Sequence, residues 1–231
     1  MIWLENDFDF EAGAILNFSK PIGKSSFWLV KKVRDIVNTK VGHAGTLDPF
    51  AQGVLLLCTG KATKRVAEFM DLPKEYIGEI ELGAVTNTDD VTGEMIEQYH
   101  VPALSQNDFT EICRAFVGEI YQIPPMFSAK KIQGRRLYQI ARKGEIVTRT
   151  PKLVRIDRIE VLDFQRPVAK LKITCSKGTY IRGLARDIGQ KIGCGGYLKS
   201  LIRTRIGNFS VEDALELNDF KQQCETRFHF Q

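Results

Sequence analysis

The chain has 231 residues, 43% of them hydrophobic and 26% charged, a balance that suits a globular protein with one large domain or two small ones. No apolar run is long enough to span a membrane, and the N-terminus is too acidic for a signal peptide. The five cysteines are odd in number and scattered, without a CxxC or Cys/His cluster. They indicate neither a disulfide framework nor a zinc site, and a reducing cytoplasm fits best.

The net charge of +5 is unevenly distributed along the chain. Residues 128–158 hold ten Lys or Arg against Glu145 and Asp157, a local charge of +8, so the remainder carries −3. A concentrated basic segment on a near-neutral body is typical of a protein that binds a polyanion. A solvated face without a partner is the alternative, but the interleaved Phe127, Tyr138 and glycines favour nucleic acid.

The chain opens with a predicted strand and helix. The strand is expected over residues 13–18, and the helix over about 27–37, capped by Ser25 or Ser26. Apolar residues at helical spacing give this helix a buried face, formed by Phe27, Val30, Val33 and Val37.

Residues 41–57 set one histidine and one aspartate between glycines and end in a purely apolar run. Glycines allow tight turns or the close approach of another segment, and Pro49 pushes Asp48 towards an extended conformation. The run 54–57 has the length of a buried strand. The pattern predicts Asp48 on a stiffened loop at a cleft floor. Taken singly, an Asp-Pro pair is usually a turn, and a lone histidine such as His43 is usually a polar residue with a partner.

As a whole string, GHAGTLDPFAQGVL (42–55) closely resembles the catalytic motif of the TruB family of tRNA pseudouridine synthases. The resemblance implies that Asp48 is the essential catalytic residue and that His43 helps to evert the target base rather than acting as general base. SKPIGKSS (19–26) matches the family's KPxGxTS signature, although Ser19 stands where aspartate is common. There the resemblance implies that Lys20 helps to shape the active-site rim.

Period-two alternation over residues 75–82 predicts a strand with one wet face. K-x-Y before such a strand recurs in TruB-like enzymes, so the resemblance implies that Tyr76 stacks on the target base. TNTDDVTG (86–93) fits the family's TxTxDxxG loop and lacks the pattern of an EF-hand calcium loop. Its Asp90 is expected to form the turn.

Two features lie between this loop and the basic segment. Ser105 and Asp108 form a capping box that begins a helix, and GRRLYQIARKG (134–144) predicts a short basic helix. Residues 121–152 resemble the TruB insertion that closes over tRNA, often called the thumb. A basic flap that orders on RNA binding would delay assembly of the site until substrate arrives. RNA binding is assigned to Lys130, Lys131, Arg135, Arg136, Arg142, Lys143 and Arg149.

Alternating patterns over 152–164 and 169–176 predict paired strands, followed by a helix capped within residues 176–179. An arginine on the first turn opposes the helix macrodipole, so Arg182 needs a compensating anion. KGTYIR (177–182) matches the second catalytic motif of the TruB family. The resemblance implies that Arg182 pairs with Asp48 and that Tyr180 lies against the aspartate.

LIRTRIGNF (201–209) matches the family's LxRTxxGxF string, which implies that Leu201 is an apolar contact beside the target base. The strand it predicts ends at Phe209, and a short helix capped by Ser210 should follow. Many TruB relatives continue into a C-terminal PUA domain, for which this chain has no room. Residues 1–231 are therefore expected to form a single catalytic domain.

The resemblance implies an isomerase that converts uridine 55 in the T loop of tRNA to pseudouridine on a flipped-out base. No cofactor or metal is expected, and Asp48 would act either as nucleophile or as the base that moves a sugar proton. The expected fold is α/β, a mixed, mainly antiparallel sheet flanked by helices with a central active-site cleft. The T arm of tRNA is the expected partner, without membrane or protein partners, in the cytoplasm.

Three alternatives compete with this interpretation. A non-catalytic tRNA-binding or RNA-folding module of the same fold predicts a degraded neighbourhood of Asp48, yet the motif residues are present. A guide-dependent synthase of the dyskerin type would rely on a PUA domain. An Asp/His hydrolase would need a second catalytic carboxylate, and none stands out.

Overall fold

The computed structural model describes residues 9–128, 131–132, 135–137, 140, 145 and 147–228. The strands are β1 Ile15–Lys20, β2 Val41–His43, β3 Gln52–Thr59, β4 Lys74–Leu82, β5 Ala84–Thr86, β6 Met95–Gln98, β7 Gly118–Gln122, β8 Lys131–Ile132, β9 Arg135–Arg136, β10 Lys152–Gln165, β11 Val168–Cys175, β12 Gly196–Ile206 and β13 Phe209–Ser210. The helices are α1 Ser26–Val37, α2 Val66–Asp71, α3 Gln106–Arg114, α4 Ile181–Ile192 and α5 Leu217–Phe228, and a 3-10 helix spans Gly60–Arg65.

The chain packs into two compact units. The first comprises the chain up to Lys74 together with the stretch from Ile202 onward, and the second is Glu75–Leu201. The strands are mainly antiparallel, β3 and β12 pair in parallel, and helices flank the strands. The predicted fold class is confirmed. The central cleft and the assignment to a single domain stay predictions.

Strand β3 is the core of the first unit. It pairs antiparallel with β1 and β2 and parallel with β12. Leu55 and Leu57 pack into one apolar cluster with α1 and α5, whereas Val54 and Leu56 pack into another with Phe69 of α2. Because both faces are buried, this strand carries a continuous apolar run instead of an alternating pattern.

Helix α1 begins where the sequence predicts but turns a slightly different face inward. The Ser25 side chain caps it by accepting a hydrogen bond from the Trp28 N–H at 3.0 Å. Phe27, predicted to be buried, is 65% exposed, and Leu29 is buried instead. The buried stripe starts at Ser26, and Phe27 lies one position outside it.

The second unit orders its strands as β4-β11-β10-β7. Alternate residues of β4 are buried, as its period-two pattern predicts. The capping box of Ser105 and Asp108 is present at the start of α3. Phe109 of α3 stacks on Phe164 of β10, with ring centroids 4.5 Å apart.

Three local predictions are wrong. Helix α4 is capped by Tyr180 without a side-chain hydrogen bond, rather than within residues 176–179, because Gln122 from β7 meets the Tyr180 backbone. Ser210 belongs to β13 and begins no helix, since β13 pairs back on β12. The predicted basic helix is wrong at Arg135–Arg136, which form a strand paired with Lys131–Ile132. Leu137 and Ile140 are helical as predicted, and the rest of that helix lies outside the described residues.

Among the described residues, no helix is both long and apolar enough to cross a membrane.

Candidate active site

The loop that carries Asp48 is held on both sides of the aspartate. The Ser26 hydroxyl accepts a hydrogen bond from the Leu47 N–H at 2.8 Å and donates to the Leu47 carbonyl at 2.9 Å. The Gly23 N–H donates to the Pro49 carbonyl at 2.7 Å. Asp48 is half-buried. The backbone directly before and after Asp48 is thus anchored to the segment that precedes and begins α1.

Arg203 clamps the ends of the same loop. It is 1% exposed, and it donates from Nε to the Val54 carbonyl at 2.7 Å and from Nη2 to the Gly45 carbonyl at 3.1 Å. Where β12 pairs with β3, a Cβ on Gly53 would stand 2.3 Å from the Arg203 carbonyl oxygen, so only glycine fits there. Sequence reasoning assigned Arg203 no role, although it lies in the LIRTRIGNF string.

Lys20 adds a buried amine to this group. Its Nζ donates to the carbonyls of Pro21 at 2.8 Å and Lys24 at 2.6 Å. Burial lowers the pKa of Lys20 to about 8, while the charge of Asp48 raises it and that of Arg203 lowers it. The first unit thus brings Lys20, Asp48 and Arg203 into one electrostatic environment.

His43 ends β2, two residues before the glycine that Arg203 holds. Its pKa is lowered by burial and, second, by the charge of Arg203. Its Nδ1 is enclosed and, in the part of the chain that is described, has no hydrogen-bond partner. A neutral, half-buried imidazole suits a side chain that occupies space beside the loop.

The second unit holds Arg182 on the first turn of α4, 4% exposed. Nη1 donates to the Thr88 carbonyl at 3.0 Å and lies 3.3 Å from Asp90 Oδ2, while Nη2 donates to the Phe127 carbonyl at 2.8 Å. The expected need for an anion is met within this unit by Asp90, a partner that sequence reasoning missed. The match of residues 86–93 to the TxTxDxxG loop is the sequence feature that could have indicated Asp90. Arg182 and Asp48 lie in different units, and their pairing stays a prediction.

Tyr180 is fixed through its backbone by Gln122, which is buried. Gln122 Oε1 accepts from the Tyr180 N–H at 2.8 Å, and Nε2 donates to the Tyr180 carbonyl at 3.0 Å. A Cβ on Gly183 would stand 3.0 Å from this amide, so the start of α4 approaches Gln122 closely. The position of Tyr180 therefore depends on a residue at the end of β7.

Tyr76 and Leu201 lie near one another in the second unit. Tyr76 is buried on β4, on the same face as Gly78. A Cβ on Gly78 would stand 3.2 Å from Leu201 Cδ1, so Leu201 packs over the glycine two residues from Tyr76. The absence of a side chain at Gly78 lets β12 present Leu201 there.

Of the seven predicted RNA-binding residues, only Arg149 has a side chain that the structure describes. Arg149 is half-buried and donates from Nη1 to the Pro124 carbonyl at 3.0 Å, and its pKa is lowered by burial and by the charge of Arg186. The backbones of Lys131, Arg135 and Arg136 form β8 and β9. The remaining three, Lys130, Arg142 and Lys143, lie outside the described residues.

The five cysteines are buried free thiols. Within the described ranges, no group of three or more His, Cys, Asp or Glu side chains is placed to hold a metal ion.

Two family models match adjoining stretches of the chain. The model of the TruB family pseudouridylate synthase N-terminal domain matches residues 32–181, and that of the tRNA pseudouridylate synthase B C-terminal domain matches residues 182–228. The chain is 45% identical over 221 residues to the tRNA pseudouridine synthase B of Phocaeicola vulgatus, covering 93% of this chain and 94% of the relative.

Solved structures resemble the fold. A chain in the crystal structure of a Cbf5-Nop10-Gar1 complex is 28% identical with a TM-score of 0.72. A chain in an H/ACA RNP bound to a substrate RNA containing 2'-deoxyuridine is 26% identical with a TM-score of 0.68. Each match covers 93% of this chain but only 55% and 54% of the solved chains, so this chain spans about half their length.

Proposed function

This chain belongs to the TruB family and isomerises uridine in tRNA, and on that premise we propose that its target is uridine 55 of the T loop and that Asp48 carries the reaction. The observation that carries the proposal is the double anchoring of the Asp48 loop, by Ser26 and Gly23 next to the aspartate and by Arg203 at the ends of the loop. A carboxylate whose flanking backbone is fixed keeps its orientation when substrate arrives.

The reaction breaks the bond between C1′ of the sugar and N1 of uracil, turns the base and forms a bond between C1′ and C5. N1 gains a proton and C5 loses its hydrogen to solvent, so the atoms balance without a co-reactant. An ionised Asp48 serves as nucleophile at the sugar or as the base that moves a sugar proton. The neighbouring charge of Lys20 favours the ionised form of a carboxylate.

Arg182 is proposed as the partner that orients Asp48. Its guanidinium is already directed by the Thr88 and Phe127 carbonyls and by Asp90. A charge-assisted, bidentate arginine–carboxylate pair fixes both position and orientation. The family motif around Arg182 supports this role.

The target base must leave its stack, which costs a few kcal/mol. We propose that stacking on Tyr76 returns about 1–3 kcal/mol and that Leu201, packed beside Tyr76 over Gly78, gives the base an apolar contact. Tyr180 would lie against Asp48. His43, neutral and half-buried, would occupy the space beside the everted base.

The T arm is proposed to dock against the basic insertion at residues 121–152. A folded tRNA loop is recognised by shape and phosphates more than by sequence, which suits eight basic side chains in one segment. The 45% identity to a tRNA pseudouridine synthase B, against 26–28% to chains from the Cbf5 and H/ACA complexes, supports a tRNA enzyme over a guide-dependent one. Five buried free thiols support a cytoplasmic location.

The test is tritium release from an unmodified tRNA transcript labelled at C5 of uridine. The wild type should release tritium, and release should stop when uridine 55 is replaced by cytidine. Asp48→Asn should slow release by about 10²–10⁴-fold, whereas the exposed, charge-matched Asp35→Asn should not slow it. Release that persists without uridine 55 would move the target elsewhere. A wild type that binds tRNA tightly without release would instead favour the non-catalytic module.

A further inference from the structure

Two consecutive aspartates in the turn after β5 meet two arginines on α4. Asp90 Oδ2 lies 3.3 Å from Arg182 Nη1, and Asp89 Oδ2 accepts a hydrogen bond from Arg186 Nη1 at 3.0 Å. Arg182 and Arg186 are four residues apart and so share one face of the helix. The four side chains, here called the Asp–Arg ladder, are at most 14% exposed.

The arginines of the ladder also bind the segment after β7. Residues 123–127, here called the strap, receive hydrogen bonds at both ends. Arg186 Nη2 donates to the Ile123 carbonyl at 3.0 Å, and Arg182 Nη2 donates to the Phe127 carbonyl at 2.8 Å. Arg149 Nη1 donates to the Pro124 carbonyl between them at 3.0 Å. Pro124 and its neighbouring proline have no N–H to offer, so the strap depends on carbonyl contacts to stay in place.

These contacts link the strap to the guanidinium of Arg182. The strap is five residues long, with one end held by Arg186 and the other by Arg182. If the Ile123 end is released, Arg149 still holds Pro124. The strap nevertheless loses the contact that fixes its first residue, and the Phe127 carbonyl that directs Arg182 is placed less accurately.

We propose that Arg186, aligned by Asp89, is a positioning residue that holds the strap so that the Phe127 carbonyl orients Arg182 for the reaction. This inference rests on the proposed role of Arg182 beside Asp48. Arg186 acts through the strap and through Arg182 and has no part in the bonds that break or form.

Asp89 offers a way to test orientation apart from stability. Burial raises its pKa, against the charges of Arg186, Arg182 and Arg149. Relative to the unfolded chain, the ionised form of Asp89 therefore costs some folding free energy at neutral pH. Asp89→Asn keeps the volume and removes that cost. Arg186 retains Asp187, whose Oδ1 it binds at 3.0 and 2.8 Å, so its charge is not left alone.

The experiment measures the single-turnover rate of tritium release at saturating enzyme and, separately, the Kd for tRNA. Arg186→Met and Asp89→Asn should each slow release by about 10- to 100-fold, since a small misplacement of a catalytic group has effects of this size. The Kd should stay unchanged. The double variant should be no slower than Arg186→Met alone, because both changes break one link. Arg114→Met, which removes an arginine from an exposed ion pair with Glu111 on α3, should match the wild type.

The inference is overturned if folded Asp89→Asn and Arg186→Met release tritium at the wild-type rate, or if their whole defect lies in the Kd. Circular dichroism checks the fold, and should Arg186→Met not fold, Asp89→Asn alone decides. The proposed function fails by different results: a wild type that ignores uridine 55, or an Asp48→Asn variant that stays active. A negative result for Asp89→Asn and Arg186→Met counts against this inference alone when the wild type requires uridine 55 and Asp48→Asn is impaired.

Discussion

The Asp48 loop and the turn at residues 86–93 each present an aspartate from a polar, glycine-containing motif, yet they hold it differently. Asp90 is buried, and its Oδ1 accepts hydrogen bonds from the Thr88 hydroxyl at 2.8 Å and from the Thr92 N–H and hydroxyl at 2.9 and 2.5 Å. Its Oδ2 meets Arg182. This carboxylate itself holds the turn together.

In the Asp48 loop, backbone contacts fix the segment at the neighbours of the aspartate and at its own carbonyl, which accepts from the Ala51 N–H at 3.1 Å. Leu47 binds Ser26 through both its N–H and its carbonyl, and the Pro49 carbonyl accepts from Gly23. The loop thus has backbone contacts that remain when the Asp48 side chain is changed. An aspartate that satisfies its own turn is structural, whereas one carried by an independently anchored loop is suited to react.

The exchange of each aspartate for asparagine tests this difference with the largest expected effects. Asp90→Asn should lower the free energy of unfolding by about 3–5 kcal/mol, because it takes the buried charge away from Arg182. Asp48→Asn should lower the free energy of unfolding less, since the contacts of Leu47 and Pro49 remain. It should instead slow turnover by about 10²–10⁴-fold. Denaturant unfolding and tritium release measure the two effects. An Asp90→Asn variant as stable as the wild type would contradict the assignment of Asp90 as structural.

The pH dependence of the free energy of unfolding tests the buried amine of Lys20, which lies in the same electrostatic environment as Asp48. Its pKa is about 8 in the folded chain against an ordinary value of 10.5, mainly through burial. The protonated amine therefore costs folding free energy at neutral pH, and this cost disappears as the pH rises from about 8 to 10.5. The free energy of unfolding should gain about 3 kcal/mol over that window. Lys20→Met should remove the gain, and the exposed Lys31→Met should keep it. An identical pH dependence in wild type and Lys20→Met would show that Lys20 titrates normally.

Two neighbouring serines, Ser25 and Ser26, allow the anchoring of the Asp48 loop to be tested apart from the stability of the fold. Ser26→Ala removes both hydrogen bonds to Leu47 in a buried setting, and should lower the free energy of unfolding by about 1–3 kcal/mol as well as slowing tritium release. Ser25→Ala removes only the cap of α1 and should lower stability by about 1 kcal/mol at unchanged turnover per folded molecule. Equal turnover in the two variants would mean that the anchor at Leu47 does not position Asp48.

Local patterns in the sequence predicted much of the fold. The apolar run of β3, the alternation of β4 and the capping box of α3 each depend on residues close in the chain, and each is confirmed. The helical period of apolar residues also predicted α1, but these residues fit two buried faces that differ by a small rotation of the helix. The choice between Phe27 and Leu29 was made by packing against the first unit's core.

The residues of the candidate site followed from motifs, but their contacts did not. Arg203 reaches Val54 across 149 positions, and Arg182 reaches Thr88 across 94. Gln122, which replaces the expected cap of α4, lies 58 positions from Tyr180. A single sequence carries no local signal for such pairings, because they arise only when distant strands and helices pack together.

Asp108, an exposed aspartate of the second unit, gives the smallest expected effect and a useful contrast with Asp90. It accepts hydrogen bonds from the Ser105 N–H at 3.0 Å and the Ser105 hydroxyl at 2.7 Å, and these lower its pKa. Ser105→Ala should lower the free energy of unfolding by about 1 kcal/mol and leave tritium release unchanged. Because the folded pKa of Asp108 is depressed, its contribution is present above the ordinary value of 3.8 and is lost as the pH falls below it. The difference between wild type and Ser105→Ala should shrink in acid, whereas a difference that stays constant would assign the whole effect to the serine hydroxyl on the Asp108 N–H.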